Sequence, residues 1–158
     1  MAKARMRTIV WKFSDIESKY EVPEGRGDLI HEKVYARSPE DIVKNFQWLF
    51  KDEAREIFVV FWLNAANRVT GFEKVTTGTL NASLVHPREV FRGAIVSTAA
   101  AVLISHNHPS GNIEPSREDI DITKQVVEAG KIIGIACHDH IIFTDSGEYT
   151  SFAERGLI

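Results

Sequence analysis

The amino-acid sequence predicts an α/β fold in one domain, with a mixed, mostly antiparallel β-sheet flanked by helices. Apolar and β-branched runs at residues 56–64 and 100–105 are typical of strands buried on both faces. Amphipathic helical segments alternate with these strands, without internal repeats. A length of 158 residues suits one domain with a substantial hydrophobic core.

We expect residues 1–36 to be an N-terminal extension and residues 37–158 to form the domain. The extension contains a strand-like segment at 8–13, followed by a polar stretch at 14–36 with EVPEGRGD, which is typical of a connection. Its first apolar stretch is too short for a signal peptide, and no run approaches the length of a membrane span. We therefore expect no membrane association.

The first half of the domain begins with a helix signal, Ser-Pro-Glu-Asp at 38–41, which places a serine cap before proline and acids in the first turn. We expect this helix to reach about Lys51 and to bury Ile42, Phe46 and Leu49. The strand at 56–64 then turns and returns as RVTGFEKVTTG, a more polar antiparallel neighbour. The aromatic side chains of the first strand are predicted to lie in the core.

The second half starts with a helix over 87–100, opened by a proline, and continues with the strand AAVLIS. A helix from about Arg117 to Ile133 follows and ends at Gly134. Its apolar spacing places Ile120, Val126, Val127 and Ile133 toward the core. The strand IACHDHIIF, a turn at 145–147 and the short segment EYTS complete the domain.

Charge and cysteine content restrict the function. The formal net charge is −3, so the chain has no surplus of cations to neutralise a nucleic-acid backbone, although a local patch stays open as an alternative. Cys137 is the single cysteine, which excludes an internal disulfide and a cysteine-rich zinc site. These features fit a reducing, cytoplasmic compartment, with Cys137 as a small buried hydrophobic residue.

The stretch ISHNHPSGNIEPSREDID, residues 104–121, contains the strongest functional signal. His106 and His108 lie two positions apart at a strand end and point the same way, but such a pair alone is more often an ordinary surface pair. Ser116 and Asp119 form a capping-box pattern that explains both residues without a metal. Together, however, two histidines and an aspartate supply the three ligands of a catalytic zinc site, which lowers the pKa of bound water toward about 7.

The complete spacing H-x-H-x7-S-x2-D resembles the JAMM motif of JAB/MPN zinc metalloproteases. The wider segments TGTLNASLVHPREVF, SHNHPSGNIEPSREDIDIT and DHIIF resemble the JAB domain of the bacterial RadC family over about residues 37–158. The resemblance implies a JAB/MPN fold with a cytidine-deaminase-like architecture. It also implies one Zn²⁺ held by His106, His108 and Asp119, with Ser116 donating to the oxyanion, and hydrolysis of an amide bond in a peptide or protein.

A general base is also implied by the resemblance, because the family places a glutamate on the strand that follows the first helix. Glu56, at the start of the first buried strand, matches that location best. Glu53 is close enough to compete, and Glu73 and Glu89 are weaker candidates. The alternative for Glu56 is a solvated acid at a strand end.

Two departures limit what the resemblance implies. Asn107 stands where deubiquitinating members usually have Ser or Thr. Asparagine at this position resembles the RadC branch, so a ubiquitin-like substrate is not implied. Full-length RadC proteins carry an N-terminal helix-hairpin-helix segment that suggests DNA contact, and we expect no room for it in 158 residues. The alternative function is a DNA-repair-associated accessory protein with a structural or vestigial metal site. A scaffold without metal is less compatible with the complete ligand set.

A second histidine pair, His138 and His140, flanks Asp139 on the last long strand. Alternation puts the two histidines on one face, and we interpret them as structural. Asp139 and His140 are candidates for residues that lie beside the metal ligands and orient them. His86 and the following proline are interpreted as a helix start. The sequence predicts neither the substrate nor the oligomeric state.

Overall fold

A five-stranded sheet is the centre of the computed structural model, which describes residues 33–78 and 85–158. Three helices flank it, and the strand order is β2-β1-β3-β4-β5. The strands are β1 (Ile57–Leu63), β2 (Val69–Thr77), β3 (Ala101–Asn107), β4 (Ala136–Phe143) and β5 (Tyr149–Ser151). The β3–β4 pair is parallel and the other pairs are antiparallel, which confirms the mixed, mostly antiparallel sheet.

Both faces of the sheet are buried, as the apolar run at 56–64 predicts. In β1, Phe61 and its alternate neighbours pack into one core cluster with the first helix, while Phe58 and Val60 pack into a second cluster. The second cluster also contains Phe91 and Val126 from the two helices on that face. Each fully buried large apolar side chain stabilises the fold by about 1.5–3 kcal/mol.

The first helix, α1 (Pro39–Phe46), continues as a 3-10 turn through Leu49, slightly before the predicted end. The amide of Ser38 donates to the carboxylate of Asp41 at 3.2 Å, as a helix-start signal of this kind requires. The predicted buried face is confirmed, because Ile42, Phe46 and Leu49 are all buried.

The second helix, α2 (Pro87–Val96), ends four residues before the predicted position. Its start is confirmed, with the ring of His86 accepting a hydrogen bond from the amide of Arg88. At its end, Thr98 has a φ of 53°, and the amides of Thr98 and Ala99 bond to the carbonyls of Ile95 and Ala94. This hydrogen-bond pattern is a Schellman stop, which usually has glycine at the left-handed position.

The third helix, α3 (Arg117–Ile133), has the predicted bounds, and Gly134 ends it in the left-handed conformation. Its predicted buried face was wrong at Ile133, which is 43% exposed. The face against the sheet instead follows helical spacing through Asp119, Ile122, Thr123, Val126 and Gly130. Two polar residues, Asp119 and Thr123, lie on the buried face, so a prediction from the spacing of apolar residues alone misplaced that face.

The third strand extends through Asn107, two residues beyond the predicted AAVLIS, because its last residues pair with β1 and β4. Alternation continues the face of Val102 and Ile104 to His106, which is the face that α2 and α3 cover. The end of β3 therefore points His106 at the start of α3.

The chain before α1 already contacts the domain. The amide of Val69 donates to the carbonyl of Val34 at 2.9 Å, and the amide of Ala36 donates to the carbonyl of Asn67 at 2.8 Å. The predicted strand at 8–13 and most of the predicted connection lie outside the described residues. The boundary between extension and domain stays a prediction.

Candidate metal centre

Two histidines meet at the end of β3. His106 lies on the strand and is fully buried. His108 lies just beyond the strand, where its amide donates a hydrogen bond to the carbonyl of Phe143 at the end of β4. Their Nε2 atoms lie 2.9 Å apart. The alternation expected from the sequence therefore brings both imidazoles to one point.

Asp119 reaches the same point from the first turn of α3. Its Oδ1 lies 3.2 Å from Nε2 of His106, and its Oδ2 lies 3.5 Å from Nε2 of His108. The amide and hydroxyl of Ser116 both donate to Asp119 Oδ2 at 2.7 Å, and the amide of Asp119 donates back to the Ser116 hydroxyl at 3.1 Å. The capping box thus holds the carboxylate beside the histidines.

The three side chains fit a metal ion. Their ligand atoms all lie within 4.8 Å of one another. A tetrahedral zinc site with bonds of about 2.0–2.1 Å has ligand-to-ligand distances of about 3.3 Å, close to the separations observed here. Two imidazole nitrogens and a carboxylate oxygen are also the donor types that zinc takes in catalytic sites.

The electrostatics favour a neutral His106 and an ionised Asp119, which are the forms in which these two residues bind a cation. Burial lowers the pKa of His106 against the opposing effect of Asp119, which favours a neutral ring. Burial opposes ionisation of Asp119, but its interactions with His106, His108 and Ser116 outweigh burial and hold the pKa of Asp119 far below its usual value. The Asp119 carboxylate, which accepts a hydrogen bond from His108, raises the pKa of the less buried His108.

The loop between β3 and α3 returns the helix start to the histidines. Nδ1 of His108 lies 2.6 Å from the carbonyl of Asn112, which fixes the ring, and the amide of Gly111 bonds to the carbonyl of His108. Gly111 has a φ of 79°, a conformation that favours glycine. The hydroxyl of Thr150 on β5 donates to the carbonyl of Ile113 at 2.7 Å and anchors the loop.

The candidate glutamates separate by location. Glu56 lines a cleft with His108, Asp119 and Ser116, and is close enough for its charge to act on both histidines. Glu53 instead forms an ion pair with Arg55. Glu73 and Glu89 both pair with Arg92, beside α2, and do not line that cleft. The structure therefore brings Glu56, among the four candidates, to the metal centre.

The second histidine pair does not share a face. His140 is fully buried, with Nε2 at 2.8 Å from Nδ1 of His106, whereas His138 is exposed. One extra residue of β4 between Cys137 and His140 breaks the alternation against β3. Burial lowers the pKa of His140 well below its usual value, so its ring is neutral.

Asp139 contacts the end of the chain rather than the ligands. It accepts hydrogen bonds from the hydroxyl of Ser151 at 2.6 Å, the amide of Ala153 at 2.9 Å and the amide of His140 at 2.7 Å. Cys137 packs against the second core cluster, and burial raises the pKa of its thiol to about 12, in agreement with a hydrophobic role. The sequence reasoning missed Thr123, whose hydroxyl contacts His140. Its position four residues after Asp119 on the helix was the available signal.

The mixed sheet and the His-His-Asp cluster define a JAB/MPN-like α/β protein with a JAMM-type arrangement of metal ligands. Residues 36–157 match the family described as the RadC-like JAB domain, and the chain belongs to that family. The fold and family implied by the sequence motifs are thereby confirmed.

Curated relatives carry the family name UPF0758. A UPF0758 protein of Geobacter sulfurreducens is 46% identical over 121 residues, which cover 77% of this chain and 52% of that protein. One from Symbiobacterium thermophilum is 56% identical over 103 residues, or 65% of this chain and 44% of that protein. One from Methanosarcina mazei is 43% identical over 121 residues, 77% of this chain and 52% of that protein. The chain spans about half the length of the curated relatives it matches.

Within residues 33–78 and 85–158, none of the helices has the length and apolar character needed to cross a lipid bilayer.

Proposed function

We propose that this chain is a zinc-dependent hydrolase of amide bonds in a peptide or protein, with one Zn²⁺ held by His106, His108 and Asp119. The convergence of these ligand atoms beside an open cleft carries the proposal. Three protein ligands leave a fourth position, as in catalytic rather than structural zinc sites. A bound zinc ion supplies a Lewis acid that polarises a carbonyl and lowers the pKa of water to about 7.

Two further residues of the cleft complete the proposed mechanism. Glu56 takes a proton from the attacking water and passes it to the leaving nitrogen as the carbon–nitrogen bond breaks. Ser116 donates its hydroxyl hydrogen to the developing oxyanion. Both residues line the same cleft as His108 and Asp119, which supports these roles. In the metal-free geometry the hydroxyl of Ser116 donates to Asp119, so it must turn to reach the oxyanion.

Zinc binding is the first test. We expect one zinc ion per chain after purification, and a loss of affinity of at least about tenfold in His106→Ala and Asp119→Ala, measured by competition with a chromogenic chelator. His138→Ala is the matched control, since His138 is exposed on β4 and does not belong to the cluster. A folded protein that binds no zinc, or a His106→Ala variant with unchanged affinity, would contradict the proposal.

Hydrolysis is the second test, with libraries of peptides and lysine isopeptides as substrates. Glu56→Gln is expected to retain zinc while the rate falls by about 10²- to 10⁴-fold, because the general base is lost. Glu53→Gln is the control, since Glu53 pairs with Arg55. If Glu53→Gln loses the activity and Glu56→Gln keeps it, the assignment of the general base is wrong.

DNA binding separates this proposal from the accessory function. Salt-sensitive DNA binding that survives zinc removal and His106→Ala, without hydrolysis of any amide, would favour the accessory protein. We place the hydrolase in the cytoplasm, a proposal supported by the single cysteine, Cys137.

A further inference from the structure

We infer that Thr123 and His140 are positioning residues that fix the ring proton of His106 on Nδ1, so that its Nε2 lone pair faces the metal. The inference rests on the proposed zinc site and concerns how that site is held ready. Three buried contacts form a chain. The hydroxyl of Thr123 lies 2.6 Å from the carbonyl of Asp119 and 2.6 Å from Nδ1 of His140, and Nε2 of His140 lies 2.8 Å from Nδ1 of His106.

The direction of this chain follows from counting hydrogens. A backbone carbonyl can only accept, and a threonine hydroxyl has one hydrogen, so Thr123 donates to Asp119 and accepts from Nδ1–H of His140. A neutral imidazole has one N–H, so Nε2 of His140 must accept from Nδ1–H of His106. Nε2 of His106 is then left with its lone pair.

The reverse direction is inconsistent with the Thr123 end of the chain, and at the His106 end it would prevent metal binding. If Thr123 donated to His140, its hydroxyl and the Asp119 carbonyl would lie 2.6 Å apart with no hydrogen between them. The proton of His140 would move to Nε2, and that of His106 would move to the nitrogen that faces His108 and Asp119. A protonated nitrogen at that position cannot coordinate zinc.

The two histidine ligands therefore differ in how their rings are fixed. Nδ1 of His108 faces the backbone carbonyl of Asn112, which no side-chain substitution removes directly. His106 depends on two side chains from different elements, Thr123 on α3 and His140 on β4. Removing a partner that orients a metal-bound histidine typically costs 10- to 100-fold in metal affinity. Side-chain substitution can therefore test how the ring of His106 is fixed, but not how the ring of His108 is fixed.

The experiment compares Thr123→Val, which keeps the shape and removes the hydroxyl, with Thr123→Ser, which keeps the hydroxyl. Nitrogen-15 NMR of the metal-free full chain reports the tautomer of each imidazole, and chelator competition reports the zinc affinity. We expect His106 to be protonated on Nδ1 in the wild type and in Thr123→Ser. In Thr123→Val we expect the proton to move to Nε2 and the zinc affinity to fall by about 10- to 100-fold.

Two results would overturn the inference while leaving the proposed function intact. One is a wild type that binds zinc and a Thr123→Val variant that keeps the Nδ1 tautomer or full zinc affinity. The other is a Thr123→Ser variant that loses affinity as Thr123→Val does, because packing and not the hydroxyl would then be responsible. If Thr123→Val fails to fold, His140→Phe is measured instead, with the same loss of affinity expected. A wild type that binds no zinc contradicts the proposed function itself.

Discussion

Among single residues, Asn107 explains how the chain holds Glu56 beside the cleft. Its Oδ1 accepts from the amide of Ile57 at 2.8 Å, and its Nδ2 donates to the carbonyls of Glu53 and Arg55 at 3.3 and 3.1 Å. These bonds lie on both sides of Glu56 and bind that segment to the end of β3. A serine or threonine hydroxyl has one hydrogen and cannot make all three bonds. Asn107 thus has a structural role.

We predict that Asn107→Ser lowers the free energy of unfolding of the zinc-free protein by about 2 kcal/mol, because it weakens the bond to the buried amide of Ile57 and the bonds to two part-buried carbonyls. Urea denaturation measures the loss. Asn45→Ser is the matched control. Asn45 is half-buried with a single side-chain bond, 2.7 Å from the Asp41 carbonyl, so we expect a loss below about 1 kcal/mol. Equal losses in both variants would show that the three bonds of Asn107 are not special.

At the scale of elements, the end of α2 contains a strained residue. Thr98 occupies the left-handed position of the Schellman stop with a φ of 53°. For a residue with a Cβ this conformation costs about 1–2 kcal/mol, and for a β-branched residue it is an outlier. Thr98 is exposed, so its side chain contributes little burial in return.

We predict that Thr98→Gly raises the free energy of unfolding by about 0.5–1 kcal/mol, since the relief of strain exceeds the greater entropy of glycine in the unfolded chain. Thermal unfolding measures the change. Thr98→Ala keeps a Cβ and most of the strain, so it should stay near the wild type. A glycine variant less stable than the alanine variant would contradict the strain argument.

Most of the elements could be predicted because their signals are local. The ends of α3 were marked by Ser116 and Gly134, and both boundaries were correct. The end of α2 was missed because its stop carries Thr98 instead of glycine, so no residue marks the break. Local chemistry therefore predicts an element's end only where the usual residue is present.

The His-His-Asp cluster could be predicted from the sequence, whereas the contact of His140 with that cluster could not. Strand alternation predicts only that His106 and His108 point the same way, and the capping box explains Asp119 without a metal. The complete spacing H-x-H-x7-S-x2-D and its resemblance to the JAMM motif placed Asp119 beside His106, as the structure has it. The contact of His140 with His106 depends on the pairing of β3 with β4 and on a bulge between them. Strand pairing and bulges are tertiary features, so residue alternation alone does not distinguish His140 from His138.

At the scale of the whole molecule, the buried histidines couple folding to pH. Burial lowers the pKa values of His106 and His140 below 6.5, so the unfolded chain binds more protons and stability falls as pH drops below 6.5. The Asp119 carboxylate accepts a hydrogen bond from His108 and raises the pKa of that histidine. The stabilisation from this pair is therefore present at pH values below 6.5 and is lost as pH rises through the folded-state pKa of His108. The zinc-free protein should therefore be most stable near neutral pH.

We predict that the free energy of unfolding of the zinc-free protein falls between pH 6.5 and 5. Two neutral histidines give a slope of up to about 2.7 kcal/mol per pH unit, at about 1.4 for each group. Burial raises the pKa of Asp139, whose proton uptake in the folded state works against this slope at the acid end, so the net slope should stay below that limit. Urea denaturation in a chelating buffer measures the slope.

His140→Gln should reduce that slope by up to about 1.4 kcal/mol per pH unit, the contribution of one group, because one buried neutral imidazole is removed. His138→Gln, on the exposed side of the same strand, should leave the slope unchanged. A free energy of unfolding that stays constant from pH 6.5 to 5, or equal slopes in the wild type and His140→Gln, would contradict the prediction. Protonation of the buried imidazoles would then not destabilise the folded state. The cluster would then be more accessible to water than the complete burial of His106 and His140 against Phe58 indicates.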